Sequence, residues 1–281
     1  MSAIYSIIDL LLPFEWTEFA YMKNALLAIL LITPLFGLVG VMIVNNKMSF
    51  FSDALGHSAL TGIAIGVLMG IDNYLISMMG FSLLFALCIS AVMNSETSSS
   101  DTIIGVFSST GLALGIVLLS ASGGFAKYSG YLIGDILTVQ PEEIRMLALI
   151  LVAVVLLWGF FFNKLMLVSM NTDLAASKGI RIRMVEKFFV ILVAVIVTVS
   201  IKWVGVLIIN SLLVLPAAAA RNLAKSMRSY HFIAIGISVF SGVSGLIISY
   251  YAGTAAGGTI VLVAAVIFFL TYFLNQVRAK A

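Results

Sequence analysis

Long, almost uninterrupted runs of apolar residues cover most of this sequence, and they leave few folds open to it. A helix needs about 20 apolar residues to cross a bilayer, and runs of roughly that length recur between residues 19 and 275. Hydrophobic residues make up 62% of the 281 positions and charged residues only 10%, whereas soluble domains average about 25% charged residues. A β-barrel would need short alternating strands instead. The runs therefore predict an all-α, polytopic transmembrane helical bundle.

The apolar runs predict eight to nine membrane spans. They lie near residues 19–44, 53–70, 73–93, 102–121, 144–168, 187–201, 204–220, 231–251 and 259–275. The boundary between the sixth and seventh runs is the least distinct, and we expect an interfacial turn near Lys202 and Trp203. Residues 1–16 are too short to cross and predict an interfacial N-terminal segment. No long hydrophilic insert interrupts the runs, so we expect residues 1–281 to form a single transmembrane domain.

Basic residues predict the orientation, because loops rich in lysine and arginine stay on the cytoplasmic side. With the N-terminal segment outside, every lysine and arginine falls inside except Lys23, Lys127, Arg145 and Lys202. We therefore expect the C-terminus to be cytoplasmic. The formal net charge of +3 is too small to indicate binding to nucleic acid.

The stretch "SDALGHSALTGIAIG" places an aspartate and a histidine inside an apolar run. Asp53 and His57 are four residues apart, so they share one face of a helix. Ionisable groups within a span are costly unless they are paired, and they usually face an interior cavity. A divalent cation could be bound by both side chains. Alternatively, Asp53 caps the helix N-terminus and His57 donates a hydrogen bond to a neighbouring helix.

Small residues form a ridge on the same predicted helix. Ser58, Gly62, Gly66 and Gly70 recur every four residues, which is typical of helices whose backbones approach closely in lipid. We therefore interpret them as packing residues. Thr61 lies on the neighbouring polar stripe and is a weaker candidate ligand.

Asn210 lies within another apolar run, "VGVLIINSLL". Its amide oxygen could bind a hard cation or face a pore. Alternatively, the amide forms a hydrogen bond between helices.

The polar stretch at residues 171–187 lies on the predicted cytoplasmic side and contains "DLAASKGIRI". A short helix there would end at Gly179, since glycine suits a helix stop. The segment is either an ordinary connector or a helix that docks into a partner protein.

Several catalytic and nucleotide-binding motifs are missing from the sequence. It contains no G-x-x-x-x-G-K-[ST] phosphate-binding loop, and neither G-x-S-x-G nor H-E-x-x-H occurs. We therefore expect no ATP site of that type in this chain, and no enzyme activity of its own.

These segments together resemble the membrane permeases of ABC importers for manganese, zinc and iron. "SDALGHSALTGIAIG" is similar to the second-span signature of that family, and "LAASKGI" is similar to its ATPase-docking helix. Further similar segments follow in order, namely "DTIIGVFSSTGLALGIVL", "YLIGDILTVQPEEI", "VGVLIINSLLVLPAAAA" and "AAGGTIVL". Two departures are visible: Thr61 stands where many relatives have proline, and Asp173 is the nearest acid to the family's docking pattern.

The resemblance implies a permease subunit of an ABC type II importer in the bacterial plasma membrane. Two copies would pair, a separate cytoplasmic ATPase would hydrolyse ATP, and an extracellular protein would deliver the metal. Asp53 and His57 correspond to the family's intramembrane metal pair. The ATPase would couple through the loop at 171–187, at Asp173, Ala175, Ala176 and Gly179. The metal would be cargo, and no permanently bound cofactor is implied.

Three other functions use the same residues differently. A secondary carrier could couple transport to ions through Asp53 and His57, and it would need no ATPase. A permease for metal chelates would have little use for an intramembrane ligand pair. An intramembrane enzyme would need a nucleophile or stabilising groups near the pair, and the sequence offers none. Because aspartate and histidine together suit several divalent metals, the residues do not identify the ion.

Overall fold

The computed structural model describes residues 2–93, 98–122, 128, 130 and 134–280. The loop at 94–101 and the outer loop at 121–143 are therefore described only in part, and Lys127 lies outside the described residues. Within the described ranges, the regular secondary structure consists of helices, and no β-strand occurs.

The helices follow one another with short connections. They are α1 (Ser2–Leu11), α2 (Ala20–Asn45), α3 (Phe51–Leu68), α4 (Tyr74–Met93), α5 (Ser100–Ala121), α6 (Pro141–Met170), α7 (Thr172–Ser177), α8 (Ile182–Val204), α9 (Val206–Leu223), α10 (Met227–Ala252) and α11 (Ala256–Lys280). Two short 3₁₀ helices, Glu15–Glu18 and Ile136–Thr138, precede α2 and α6.

Eight helices in the described part of the chain are long and apolar enough to cross a membrane. They are α2, α3, α4, α5, α6, α8, α10 and α11, while α9 contributes a shorter apolar segment, Ile208–Leu223. The predicted all-α, multi-span fold is confirmed.

The turn between α8 and α9 lies three residues beyond Lys202. The α8 helix continues through Lys202 and Trp203, and the chain turns at Gly205, whose φ is 81°. Glycine adopts a positive φ without the steric cost that other residues meet. The expected turn at Lys202 and Trp203 is therefore wrong by a few residues, because the backbone conformation, and not the charge, determines where the helix ends.

One compact unit of the chain comprises Met1–Val41, Gly134–Ala153 and Ser211–Ala281. Within it, α10 and α11 approach so closely that a methyl group on Gly245 would lie 2.5 Å from the Ile260 Cα. Helix α1 is fixed to the start of α2 by an ion pair in which Lys23 Nζ lies 2.6 Å from Asp9 Oδ1. The opposite face of α1 exposes Ile4, Ile7 and Leu10, a pattern that suits the predicted interfacial position.

The other compact unit comprises Met42–Ile133 and Val154–Asn210. Its central helix is α3, which packs against α4, α5 and α8. A methyl group on Gly62 would lie 2.7 Å from the Met78 Cα of α4, and one on Gly111 of α5 would lie 3.4 Å from the Ser58 Cα. Small residues therefore let the backbones of these helices approach closely.

The predicted ridge does not extend to Gly70. Gly66 lies against the Ser77 side chain of α4. Gly70 follows the end of α3 with a φ of 67°, and no atom lies within 4 Å of the position that a Cβ would take there. Gly70 therefore terminates the helix, with the Ile71 N–H donating to the Gly66 carbonyl at 2.9 Å.

Candidate functional site

Asp53 and His57 lie in the first two turns of α3. The His57 Nε2 atom lies 3.4 Å from the Asp53 Oδ2 atom, as expected for residues one helical turn apart. Asp53 is not the N-cap, because the helix begins at Phe51 and the N-cap position is Phe50, which forms no side-chain cap. The carboxylate is therefore available to His57 and to a ligand.

The exposure of α3 singles out these two residues. From Phe51 to Ala64 every residue is buried except Asp53 and His57. Their side chains are 28% and 16% exposed, respectively. A helix that is otherwise packed on all sides thus has an opening at its two ionisable side chains.

The two side chains differ in their other hydrogen-bond partners. Ser108 on α5 donates its hydroxyl to Asp53 Oδ2 at 3.3 Å. His57 Nδ1 is buried and has no hydrogen-bond partner among the residues that the structure describes. Ser108 was not a candidate in the sequence, since a serine in "VFSSTG" resembles the small packing residues around it.

Asn210 is engaged in a hydrogen bond between helices. Its Oδ1 atom accepts from the Ser52 hydroxyl at 2.6 Å, and this bond joins α9 to the first turn of α3. The bond matches the alternative in which Asn210 forms a hydrogen bond between helices. It also holds the side chain of Ser52, the residue that precedes Asp53 in the sequence.

Thr61 lies at the contact between α3 and α5 and does not share the opening. It is 1% exposed, and its hydroxyl donates to the Gly111 carbonyl at 2.6 Å. The expectation that Thr61 offers a ligand beside the pair is not supported, because the hydroxyl is used in helix packing.

Asp53 and His57 form a pair, and the residues that the structure describes supply no third strong ligand beside it. Among the described residues, no group of three or more His, Cys, Asp or Glu side chains could hold a metal ion. An open pair binds an ion more loosely than a closed four-ligand structural site. Chemically, this arrangement suits transient contact with a cation.

The segment predicted for coupling folds as the short helix α7. The Asn171 side chain caps it by accepting from the Leu174 N–H at 2.9 Å. The helix ends where Gly179, with a φ of 72°, donates its N–H to the Ala176 carbonyl at 2.9 Å. The Ile180 N–H also donates to the Ala175 carbonyl, at 3.1 Å, so the turn is closed by two backbone bonds.

The residues of α7 differ in what they present to a partner. Asp173, Leu174 and Ala176 are exposed, whereas Ala175 is 0% exposed. Ala175 therefore presents no side-chain surface to a partner, because the chain's own residues cover it, and its part in coupling stays a prediction. Its small size lets α7 pack closely.

Comparison with known proteins places the chain in a family. Residues 18–275 match the ABC 3 transport family. The chain belongs to this family. The family membership that we predicted from the sequence is thereby confirmed, and the eight apolar helices make this member of the ABC 3 transport family a multi-pass membrane protein.

Curated relatives in this family are permeases of metal uptake systems. The chain is 32% identical to the manganese import system permease protein ScaB of Streptococcus gordonii, over 92% of each chain. It is also 32% identical to the high-affinity zinc uptake system membrane protein ZnuB of Haemophilus influenzae, over 92% of this chain and 99% of that protein.

Solved structures show the same fold. The structure of PsaBC from Streptococcus pneumoniae in complex with Fab matches with a TM-score of 0.80 and 30% identity, over 97% of this chain and 95% of that chain. An inward-facing conformation of a putative metal-chelate type ABC transporter matches with a TM-score of 0.71 at 12% identity, over 89% and 85% of the two chains. The second likeness concerns the fold alone.

Proposed function

We propose that this chain is the transmembrane permease subunit of an ATP-driven importer of divalent transition-metal ions. The cargo is manganese or zinc, with iron as a third candidate, and it passes through a site formed by Asp53 and His57. The observation that carries the proposal is the opening of α3 at those two side chains, while every other residue from Phe51 to Ala64 is buried.

The spacing of the pair supports a single bridging ion. Metal–nitrogen and metal–oxygen bonds are about 2.0–2.2 Å long, so two ligands of one ion at roughly tetrahedral angles lie about 3.4 Å apart. The distance between His57 Nε2 and Asp53 Oδ2 is 3.4 Å, longer than the ordinary hydrogen-bond range of about 2.7–3.2 Å. One ion between the two atoms needs little rearrangement.

The openness of the pair supports transport rather than storage. A transported ion must be held well enough to enter the membrane and weakly enough to leave it. Asp53 and His57 supply an anionic oxygen and an imidazole nitrogen, which suit manganese, iron and zinc. Water, Ser108 or a second copy of the chain completes the coordination.

The assembly and orientation follow from the family and from the charge distribution. Two copies of the chain pair in the plasma membrane, with the C-terminus in the cytoplasm. A separate ATPase docks on α7 through its exposed face, and an extracellular metal-binding protein delivers the ion. The names of the relatives, manganese and zinc uptake permeases, support this assignment.

The test is uptake of radiolabelled Mn²⁺ and Zn²⁺ in cells that depend on this transporter. We expect Asp53→Asn and His57→Gln each to reduce uptake to background while the permease still binds its ATPase. Asp101→Asn is the matched control, since Asp101 is an exposed carboxylate in the first turn of α5. Wild-type uptake by both pair variants would refute the assigned site.

The same cells separate an importer from a secondary carrier. Uptake by the importer stops when the partner ATPase carries an inactivating substitution, and it persists when the proton gradient alone is collapsed. The reverse pattern would assign the pair to an ion-coupled carrier.

A further inference from the structure

A cavity lies at the end of the second compact unit, next to α7. It has a volume of about 300 Å³, at the lower end of the range for small-molecule sites, which is about 300–1,000 Å³. The ends of α2, α4 and α6 and the first turns of α8 surround it, and Thr172 of α7 also lines it. None of the residues proposed for metal transport lines this cavity.

The lining contains both polar and apolar side chains. Lys47 and Glu186 are its charged members. Deeper along the same helices, the wall is formed by Leu165, Phe189 and Val190. Lys47 and Glu186 lie near the ends of their helices, and Leu165, Phe189 and Val190 lie about one turn further inside.

The two charged side chains have no direct partner in the described part of the chain. Neither Lys47 Nζ nor the Glu186 carboxylate forms a hydrogen bond or an ion pair within the described part of the chain. Lys47 is exposed, and its backbone has a φ of 56°. Glu186 is half-buried, and the cation that acts on it electrostatically, Arg183, does not line the cavity.

We propose that this cavity binds the headgroup and the adjoining acyl chain of a phospholipid that carries both a phosphate and a primary amine, such as phosphatidylethanolamine. The Lys47 ammonium binds the phosphate, and the Glu186 carboxylate accepts from the lipid's ammonium group. The first acyl carbons lie against Leu165, Phe189 and Val190. With the orientation proposed above, the lipid comes from the inner leaflet.

Charge complementarity favours this lipid over lipids with anionic or choline headgroups. An anionic lipid would place its negative charge near Glu186 without a compensating amine. A choline headgroup carries no N–H, so it cannot donate to the carboxylate. The primary ammonium offers three donors, and hydrogen bonds between charged groups are about twice as strong as neutral ones.

The surroundings of the cavity favour a lipid over a soluble metabolite. Val92 on α4 and Ile191 on α8 lie next to lining residues and are 39% and 38% exposed. Both helices are candidate membrane spans, and the cavity lies at their ends, where lipid headgroups would surround a membrane protein. A soluble zwitterion would leave the apolar lining uncovered.

The experiment is native mass spectrometry of the purified permease in complex with its ATPase. The probes are dioleoyl-phosphatidylethanolamine, dioleoyl-phosphatidylglycerol, dioleoyl-phosphatidylcholine and free phosphoethanolamine, each at equal concentration. We expect the ethanolamine lipid to be retained about tenfold more than the other two lipids, because it alone among them forms both charged contacts. It should also be retained more than free phosphoethanolamine, which forms the charged contacts but has no acyl chain to cover the apolar lining. Val168→Phe, which narrows the cavity at a half-buried position, should reduce its retention.

Charge-removing variants with matched controls test each contact. Glu186→Gln and Lys47→Gln should each lower retention about tenfold, since each removes one charge-assisted bond. Glu142→Gln and Lys187→Gln remove exposed charges outside the cavity and should change nothing. Lys47 lies in an exposed loop, so its variant keeps the test available should Glu186→Gln fail to fold.

Three results would overturn the proposal. They are equal retention of all three lipids, retention that is insensitive to both charge variants, and binding of free phosphoethanolamine as strong as that of the lipid. None of these measurements involves metal, so they are independent of the outcome of the uptake experiment.

Discussion

Ser108 on α5 donates its hydroxyl to the Asp53 Oδ2 atom of α3 at 3.3 Å. The same oxygen lies 3.4 Å from His57 Nε2. One carboxylate oxygen is thus oriented from two sides, by a neighbouring helix and by a residue one turn further along its own helix. Groups that orient a metal ligand typically affect metal affinity about 10- to 100-fold.

The first prediction concerns this orienting bond. Ser108→Ala should raise the metal concentration needed for half-maximal uptake about tenfold and leave the maximal rate nearly unchanged, because Asp53 is retained but less well positioned. Ser109→Ala is the control, since Ser109 is the exposed neighbour on the same helix. An unchanged half-saturating metal concentration would show that Ser108 does not position Asp53 for metal binding.

The second prediction concerns the exposed face of α7. Ala176→Glu should abolish co-purification of the ATPase while the permease remains monodisperse, because a charge placed in a closely packed contact costs several kcal/mol. Ala252→Glu, at an exposed position at the end of α10, should have no effect. Retention of the ATPase by the Ala176 variant would show that α7 does not dock.

The third prediction concerns packing between α3 and α4. Gly62→Ala should destabilise the protein by about 1–3 kcal/mol, because its methyl group would lie 2.7 Å from backbone atom Cα of Met78. Gly80→Ala on α4 meets no atom within 4 Å and should be neutral or stabilising by up to about 1 kcal/mol. The melting temperatures of the purified proteins in detergent measure both effects. Equal melting temperatures would contradict the close approach.

The fourth prediction concerns orientation. In a Cys88→Ser background, Lys225→Cys, between α9 and α10, should react with a membrane-impermeant maleimide only after the cells are permeabilised. Thr254→Cys, between α10 and α11, should react in intact cells. Both positions are exposed, so a difference in labelling reports the side of the membrane. The opposite labelling pattern would invert the proposed topology.

The spans could be predicted from the sequence because apolar length is a local property. The family could be predicted because its motifs follow in order. The end of α8 was misplaced, since the charge of Lys202 suggested an interface while the positive φ of Gly205 determines the turn. Local patterns thus locate helices well and their ends less well.

The partners of each side chain could not be predicted, because they come from helices far apart in the chain. Asp53 and His57 were found through their i, i+4 spacing. Ser108 was missed, since its contact with Asp53 spans 55 positions. Ala175 looked like its neighbour Ala176 in the sequence, and only the fold separates the buried one from the exposed one.

Because Asp53 and His57 are carried by the same helix, the spacing of their backbones stays constant when α3 moves as a body. Under the proposed function, a change in metal affinity between transport states then comes from groups on other helices, and Ser108 of α5 is the candidate that contacts Asp53. The proposed site would then combine two ligands from one helix with orienting groups from its neighbours, and release of the ion would depend on how those helices are arranged around α3.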